Sequence, residues 1–596
     1  MSEQNRGASS VDLVASASRG AAPAIERMPR ASIRARVAMR DGARLDTWVW
    51  LPFDRAGPVP AILLRTPYQE QVMGWARLRT LAYRDAGYAV VFQLVRGVGG
   101  SDGQFVLSDP LDKPDGHDAV EWVAAQPWCD GAIGMDGSSY VAMTQIAAAS
   151  MQPPHLRCII PAVPSASFFD HVGRFGGIFS RQHSIGWTQF VQVESLADLT
   201  PGLWGDAAFL ASPSAWTRLT SRPAIAAADG TLFDDRLKHY RDILVHAIDD
   251  DWVKARVPQA ADYARIEVPT LCVTGLYDAS MGTQHVWHML ERHAPPGAER
   301  QLLIGPWDHG QSYVGGGDRH GPWDFGGYAT FDLPTARLAF FDKHLKGNGE
   351  GAPLPGRVTA FVTGANRWLH AATYPHPDTV ATPCYLASDG FANLRGHGWL
   401  TWEAPPAGAS ADHFRADPTL PFVPVAATLD PALILDLRER ERMEDVLVYT
   451  SEPLAEPVTL HGEFTLELHL ASDCPDGDIV AWLAEVPPDG SRTTMLSRGQ
   501  LRLRYREGYE REVPLVPGEP TRAIIAMNHV GHRVAAHHRL RLLIGSDFFP
   551  TFDPNPNTGE PIATATELRV ATQTIFHDTA HPSCLRLPVL REAAAA

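Results

Sequence analysis

From about Ala31 onward, short apolar runs alternate with longer stretches whose apolar positions recur at helical spacing. Residues 61–64 (AILL) have a buried-strand pattern ended by Thr66-Pro67. Residues 72–86 follow as a helix, with Trp75, Leu78, Leu81 and Ala82 on one face. Gly87 stops that helix, and 88–95 (YAVVFQLV) is the next strand. The same rhythm predicts a helix over 118–125 closed by Pro127, a strand over 133–136, a helix over 140–150 and a strand over 158–163. Continuous apolar strands alternating with helices imply a parallel sheet covered on both faces.

The rhythm breaks between about Ser165 and Val257, where the chain is aromatic-rich and helix-like with no clear strand run. It resumes with a strand over 270–274, a helix near 284–292, a strand over 301–304 and a helix over 335–345. Past about Tyr374 the texture changes. Residues 458–470, 479–486, 500–505 and 540–544 alternate apolar and polar positions with period two, and turn clusters such as Pro475-Asp476-Gly477 and Pro488-Asp489-Gly490 intervene. The expected fold class is therefore α/β plus all-β. The expected parts are a flexible segment over 1–30, a core over 31–165 and 258–374 split by a helical cap over 166–257, and a β domain over 375–596. The last is expected to be an antiparallel jelly-roll sandwich.

Composition narrows the function classes. The chain has 596 residues, with 52 Lys+Arg against 68 Asp+Glu and a net charge of -16. Phosphate binding needs clustered Lys and Arg, so nucleic acid is not an expected partner. No run approaches the ~20 apolar residues that span a bilayer, and acidic residues interrupt the N-terminus, so a membrane anchor or secretory signal is not expected. The 6 Cys stand singly without a CxxC pair, which fits reduced thiols in a cytoplasmic protein and no zinc knuckle. The 16 Trp first suggest aromatic pockets or sugar-binding surfaces. The oligomeric state is open, a homodimer being one option.

The chemistry concentrates at Gly137-Ser138-Ser139-Tyr140, between a predicted strand and a predicted helix. A serine on a sharp strand-to-helix turn exposes its Oγ and places helix N–H groups beside a developing oxyanion. By itself this segment also fits an ordinary helix N-cap. Two other strand ends supply partners: 270–274 runs into Asp278, and 301–304 runs into His309. The chain order Ser139, Asp278, His309 is that of a hydrolase triad, with each residue just past the end of a parallel strand. Asp308 is the weaker orienter, because a sequence neighbour rarely presents its carboxylate to the ring's Nδ1.

Three further features carry little. Gly97-Val98-Gly99-Gly100 follows a strand but no helix follows it directly, so a dinucleotide loop is not expected. His285 and His288 have HxxH spacing without the Glu of a zinc-protease helix, and no metal or cofactor is expected. His537-His538 belongs to the strand framework.

Together Ser139-Tyr140, Gly275-x-Tyr277-Asp278 and Gly305-Pro306-Trp307-x-His309 resemble the cocaine esterase-like hydrolases, grouped with X-Pro dipeptidyl-peptidases and α-amino-acid ester hydrolases. Arg65-Thr66-Pro67-Tyr68, Val95-Arg96-Gly97, Glu121-Trp122, Gln126-Pro127-Trp128 and 341–347 match as well. In the β domain, Arg504-Tyr505-Arg506 and 552–559 match too. The resemblance implies a hydrolase core, a helical cap and a C-terminal jelly roll. It also implies Ser139 as nucleophile, His309 as base, Asp278 as its orienter, and an oxyanion hole from the Tyr68 hydroxyl and the Tyr140 N–H. Leu94 stands where an acid often precedes the Arg-Gly pair, and Ala142 replaces a usual Gly.

The expected reaction is cleavage of a small carboxylic ester, or an amide, through an acyl-enzyme. Acyl transfer to another acceptor, dipeptide or aminoacyl-ester hydrolysis, and noncatalytic binding by the jelly roll are the alternatives. Substrates with an ammonium need nearby negative charge, and Ala279, Ser280 and Met281 after Asp278 offer none. The cap aromatics Phe168, Phe169, Phe190 and Trp187 are candidates for lining a pocket, with cap core as the alternative for the cluster.

Overall fold

The computed structural model describes residues 31–68, 81–171, 173–180, 184, 187, 191, 238–278, 282–320, 323–347, 354–393, 398–422, 436–549 and 551–591. The segment 1–30, most of the expected helix 72–86, and most of the expected cap, including Phe190, lie outside the described residues.

The first strands, in chain order, are β1 (Ile33–Ala38), β2 (Arg44–Trp50), β3 (Val59–Thr66), β4 (Ala89–Leu94), β5 (Cys129–Ser138), β6 (Leu156–Ala162), β7 (Arg174–Phe175), β8 (Ile178–Phe179), β9 (Thr270–Tyr277), β10 (Arg300–Asp308), β11 (Arg319–His320), β12 (Trp323–Asp324), β13 (Val358–Val362) and β14 (Arg367–Ala371). Ten of them form one sheet in the order β1-β2-β4-β3-β5-β6-β9-β10-β13-β14, while β7–β8 and β11–β12 are separate ribbons. From β4 through β13 the sheet is parallel, and antiparallel pairs close both edges. The period-two geometry of a strand explains the all-apolar runs. Ile62, Leu64, Val90 and Phe92 enter one core, while Ala61, Leu63, Ala89 and Val91 enter another on the opposite face.

Helices Asp112–Ala124 and Tyr140–Ser150 pack together on one face. Gly116 permits this: a Cβ there would lie 2.7 Å from the Ala148 Cβ. The first of these helices begins six residues before the expected 118, at Asp112. Its Pro114 sits in the first turn, where no N–H is needed, and Asp112 and Asp115 suit a helix N-terminus. The expected helix over 335–345 is Leu333–Phe341, continued by one wider turn over Asp342–Lys346.

The second sheet contains β15 (Thr379–Ser388), β16 (Gly398–Thr401), β17 (Asp412–Ala416), β18 (Leu447–Ser451), β19 (Val458–Ser472), β20 (Asp478–Val486), β21 (Thr494–Arg502), β22 (Thr521–Val534), β23 (Arg539–Gly545), β24 (Ala571–Phe576) and β25 (Cys584–Leu590). Its order is β17-β24-β19-β22-β21-β20-β23-β18-β16-β15-β25, and β25 also pairs with β19. The long β19 therefore meets β25 and β24 in turn along one edge, so the sheet folds back on itself around a single apolar core. The fold class is α/β plus all-β. The expected strand over 500–505 is displaced: β21 ends at Arg502, and Leu503–Tyr505 forms a tight turn. Arg502 and Arg504 are buried against Asp478 and Asp476, so polar residues here occupy inward positions that hydropathy alone assigns outward.

The two sheets meet at several hydrogen bonds. Thr363, just past β13, donates its N–H to Gly531 O and accepts from Arg533 N. Phe169 stacks on Tyr509 with centroids 4.6 Å apart, and the Tyr509 hydroxyl donates to Asp170.

Candidate active site

Tyr68, Ser139, Asp278 and His309 follow β3, β5, β9 and β10, so parallel strands deliver all four to the same edge of the sheet. Ser139 has φ 62° and ψ -126°, a backbone conformation that side chains rarely adopt. Its N–H donates to Ala162 O and its carbonyl accepts from Ala142 and Met143 at the start of the following helix. Gly137, at φ 146°, makes the turn possible, since a Cβ there would lie 2.1 Å from Val141. Ser139 remains partly accessible while its neighbours are buried.

His309 Nδ1 lies 3.0 Å from Asp278 Oδ1. Asp278 is buried and the imidazole is partly exposed. A proton on Nδ1 satisfies the carboxylate and assigns Nε2 as the nitrogen able to accept one. Trp307 fixes the two loops against each other. A Cβ on Gly305 or Gly316 would strike its indole, so these two glycines form the slot that the buried ring fills, and a Cβ on Gly275 would strike its carbonyl, so that glycine lets the two strand ends approach. Asp308 points elsewhere: it accepts from Gln311 N, and its carboxylate lies 3.8 Å from His320.

On the other side of Ser139, the buried Tyr68 hydroxyl hydrogen-bonds to the Ser139 side chain, the Tyr140 N–H and, at 3.3 Å, the Trp187 Nε1–H. Burial pushes this phenol above its ordinary pKa, and the three hydrogen bonds pull against that shift. The Tyr140 ring stacks on Trp187 at 6.0 Å, with Phe105 packed against both. The Tyr140 hydroxyl donates to Asp112 Oδ2 at 2.8 Å. A phenolic O–H and a backbone N–H thus converge beside a serine oxygen, which is the donor pair an oxyanion requires.

Similarity to known proteins extends over most of the chain. Residues 41–311 match the X-Pro dipeptidyl-peptidase (S15) family, and 351–586 match the X-Pro dipeptidyl-peptidase C-terminal non-catalytic domain. The cocaine esterase of Rhodococcus sp. is 31% identical over 582 residues, covering 93% of this chain and 98% of that protein. The chain belongs to the cocaine esterase-like, S15 hydrolases. An α-amino acid ester hydrolase structure aligns at TM-score 0.78 with 25% identity, covering 94% and 96% of the two chains. An aminopeptidase from the marine sediment archaeon Thaumarchaeota archaeon aligns at TM-score 0.81 and 23% identity over 99% of each, a likeness of fold.

Within this S15 hydrolase the remaining sequence candidates fall in different places. Trp187 adjoins the Tyr68 and Tyr140 corner. Phe168 packs on Trp252, and Phe169 stacks on Tyr509 in the loop that precedes β22. Leu94 leaves the following Arg96 to pair with Asp115 and Asp41. In the glycine loop, a Cβ on Gly97 would overlap the Phe105 backbone, so that glycine brings Phe105 to the Tyr140 ring. His288 packs toward Tyr374 and His529 at the junction of the sheets, and His538 Nδ1 lies 2.6 Å from Glu485. Among the described residues, no group of three or more His, Cys, Asp or Glu is arranged to hold a metal, and no helix is long and apolar enough to cross a membrane.

Sequence reasoning missed Asp112 and Thr363. Asp112 lies in a stretch whose Pro and Gly content reads as loop, although two acids around a proline before an amphipathic run are also a helix-start signal. Thr363 has no sequence signal. Its Oγ1 lies 2.8 Å from His532 Nδ1 and also hydrogen-bonds to the Tyr277 hydroxyl, next to Asp278.

Proposed function

We propose that the protein is a serine hydrolase that cleaves neutral carboxylic esters through an acyl-enzyme formed on Ser139. The observation that carries this reading is the Tyr68 hydroxyl bonded to both the Ser139 side chain and the Tyr140 N–H, at the sheet edge that also bears the His309–Asp278 pair. Ser139 Oγ attacks the ester carbonyl while His309 Nε2 takes its proton, and the new oxyanion receives hydrogen bonds from Tyr68 and Tyr140. Asp278 holds the imidazole by Nδ1 and stabilises the cation that forms. His309 returns the proton to the leaving alcohol, then activates water to release the acid. The organisation we propose is a core over 31–165 and 258–374, a cap over 166–257 and a β domain over 375–596.

The relatives whose names specify amino-acid esters or peptides define the nearest contrast in substrate. The absence of a carboxylate at 279–281 supports neutral esters over substrates carrying an ammonium. A chromogenic panel of aryl esters, alkyl esters, aminoacyl esters and amides tests this. Faster turnover of the neutral esters is expected, and a clear preference for aminoacyl substrates would reverse it. A fluorophosphonate probe tests the nucleophile: labelling that persists in Ser139→Ala defeats the assignment.

A further inference from the structure

The Asp112 carboxylate sits behind the donor corner, and no step of ester cleavage described above uses it. One of its oxygens accepts from the Tyr140 hydroxyl at 2.8 Å, and the other lies 3.3 Å from Arg65 Nη1. Its backbone carbonyl also accepts from Arg65 Nη1 at 2.9 Å. Arg65 is itself buried on β3, three residues before Tyr68, and donates to Gln93. The Arg65 carbonyl accepts from Thr144 in the helix that Tyr140 opens. Asp112 is thus fixed to β3 at one oxygen and to the Tyr140 side chain at the other.

The other face of the Tyr140 ring leads to the second donor. Trp187 stacks on that ring with an interplanar angle of 15°, and its indole N–H reaches the Tyr68 oxygen. A continuous path therefore runs from Asp112 through the Tyr140 hydroxyl and ring to Trp187 and Tyr68. It returns to Ser139 through the Tyr140 amide. Rotation of the Tyr140 side chain would release the Trp187 stack and disturb both donors together, and small misplacements of oxyanion donors are costly in rate.

We propose that Asp112 is a positioning residue that aligns both oxyanion donors by anchoring the Tyr140 hydroxyl. This rests on the assignment of Ser139, Tyr68 and Tyr140 made above. The competing role is neutralisation of the buried Arg65, which would be indifferent to the Tyr140 hydroxyl. The charged or titratable groups facing Asp112 are Arg65 from β3, Tyr140 from its helix, and Asp109 and Asp115 from its own segment. Asp115 is already paired with Arg96. Burial pushes the Asp112 carboxyl up to about 6, against the opposing pull of Arg65 and the Tyr140 hydroxyl. The ionised form, the stronger acceptor, therefore prevails only above about that pH.

The test uses the full chain, an aryl ester, and the variants Tyr140→Phe, Asp112→Asn and their combination. Each single variant is expected to lower kcat by roughly 10- to 100-fold, with KM within about threefold, because a displaced donor weakens the transition state alone. The double variant is expected to be no slower than the slower single, since both changes cut one link. The acid limb of the kcat profile becomes less steep in Asp112→Asn, which no longer carries the titrating group. Wild-type kcat in Tyr140→Phe, or losses that multiply in the double variant, overturns the proposal. If Asp112→Asn fails to fold, Tyr140→Phe decides alone. Fluorophosphonate labelling separates the two levels. Labelling that survives Ser139→Ala removes the underlying assignment, whereas Ser139-dependent labelling with an unimpaired Tyr140→Phe removes only the role of Asp112.

Discussion

Asp112, at the start of a helix on the hydrolase sheet, and Asp412, in the second sheet, are both buried carboxylates, and their surroundings act on them in opposite directions. Asp412 accepts from Ser388 Oγ at 2.7 Å, Tyr449 OH at 2.8 Å, Ala392 N at 2.9 Å and His577 Nε2 at 3.0 Å. Burial by itself would raise its pKa, but these hydrogen bonds outweigh it and hold the carboxyl below its ordinary value. Asp112 has one hydroxyl and the Arg65 guanidinium, and there burial wins. Where a carboxylate ties strands together, the fold surrounds it with donors and gains stability from its charge. Beside the candidate oxyanion donors, the fold holds a carboxylate against its own tendency to take a proton, as sites arranged for reactivity do.

Substitutions at the reacting edge should separate from those in the second sheet. Ser139→Ala is expected to lower kcat on the order of 10⁶-fold without changing the thermal midpoint, checked by ester turnover and calorimetry. Asp278→Asn should cost on the order of 10⁴-fold in kcat, because the imidazole loses its oriented tautomer. Tyr68→Phe should cost about 10²- to 10³-fold, read as a fall in kcat with KM nearly constant. Asp412→Asn is expected to do the reverse: activity per folded molecule stays at wild type while unfolding becomes easier by about 2–4 kcal/mol in a denaturant titration. An Asp412 variant that loses kcat but not stability would erase the contrast.

The smallest expected effect is on pH-dependent stability. Asp412 has a lowered folded pKa, so its contribution is present above the ordinary carboxylate value of ~3.9 and is lost as pH falls through the folded value. Asp112 has a raised folded pKa, so its ionisation costs stability above about 6, and that cost disappears as pH falls below it. Thermal melts between pH 4 and 7 should therefore show Asp112→Asn losing a pH-dependent component that wild type has, while Asp412→Asn lowers the midpoint across that range and alters its pH dependence only at more acid pH.

Much of the hydrolase sheet was legible because its strands are buried on both faces. Residues 61–64 and 88–95 carry apolar runs that only such a sheet explains, and β3 and β4 occupy them. The candidate residues were legible because each stands at a strand end beside a glycine: Gly137 before Ser139, Gly275 before Asp278, Gly305 before His309. The start of the helix at Asp112 was not legible. Pro114 and Gly116 argue for a loop until the Ala148 contact that needs Gly116 is known. The end of β21 was obscured because Arg502 is paired inside the sheet, where a polar residue imitates an exposed position.

By itself the sequence determined which segments become strands and helices, the order in which a serine, an acid and a histidine arrive, and the family to which the chain belongs. These are encoded locally, in periodicity and in glycines that close turns. Only the tertiary structure decided which distant groups meet. Tyr277 reaches Thr363 and through it His532, Trp307 fills a slot bounded by Gly305 and Gly316, and Asp112 takes the Tyr140 hydroxyl. Such pairings depend on how whole faces pack, and a single polar residue in the chain carries no mark of the partner that packing will bring to it.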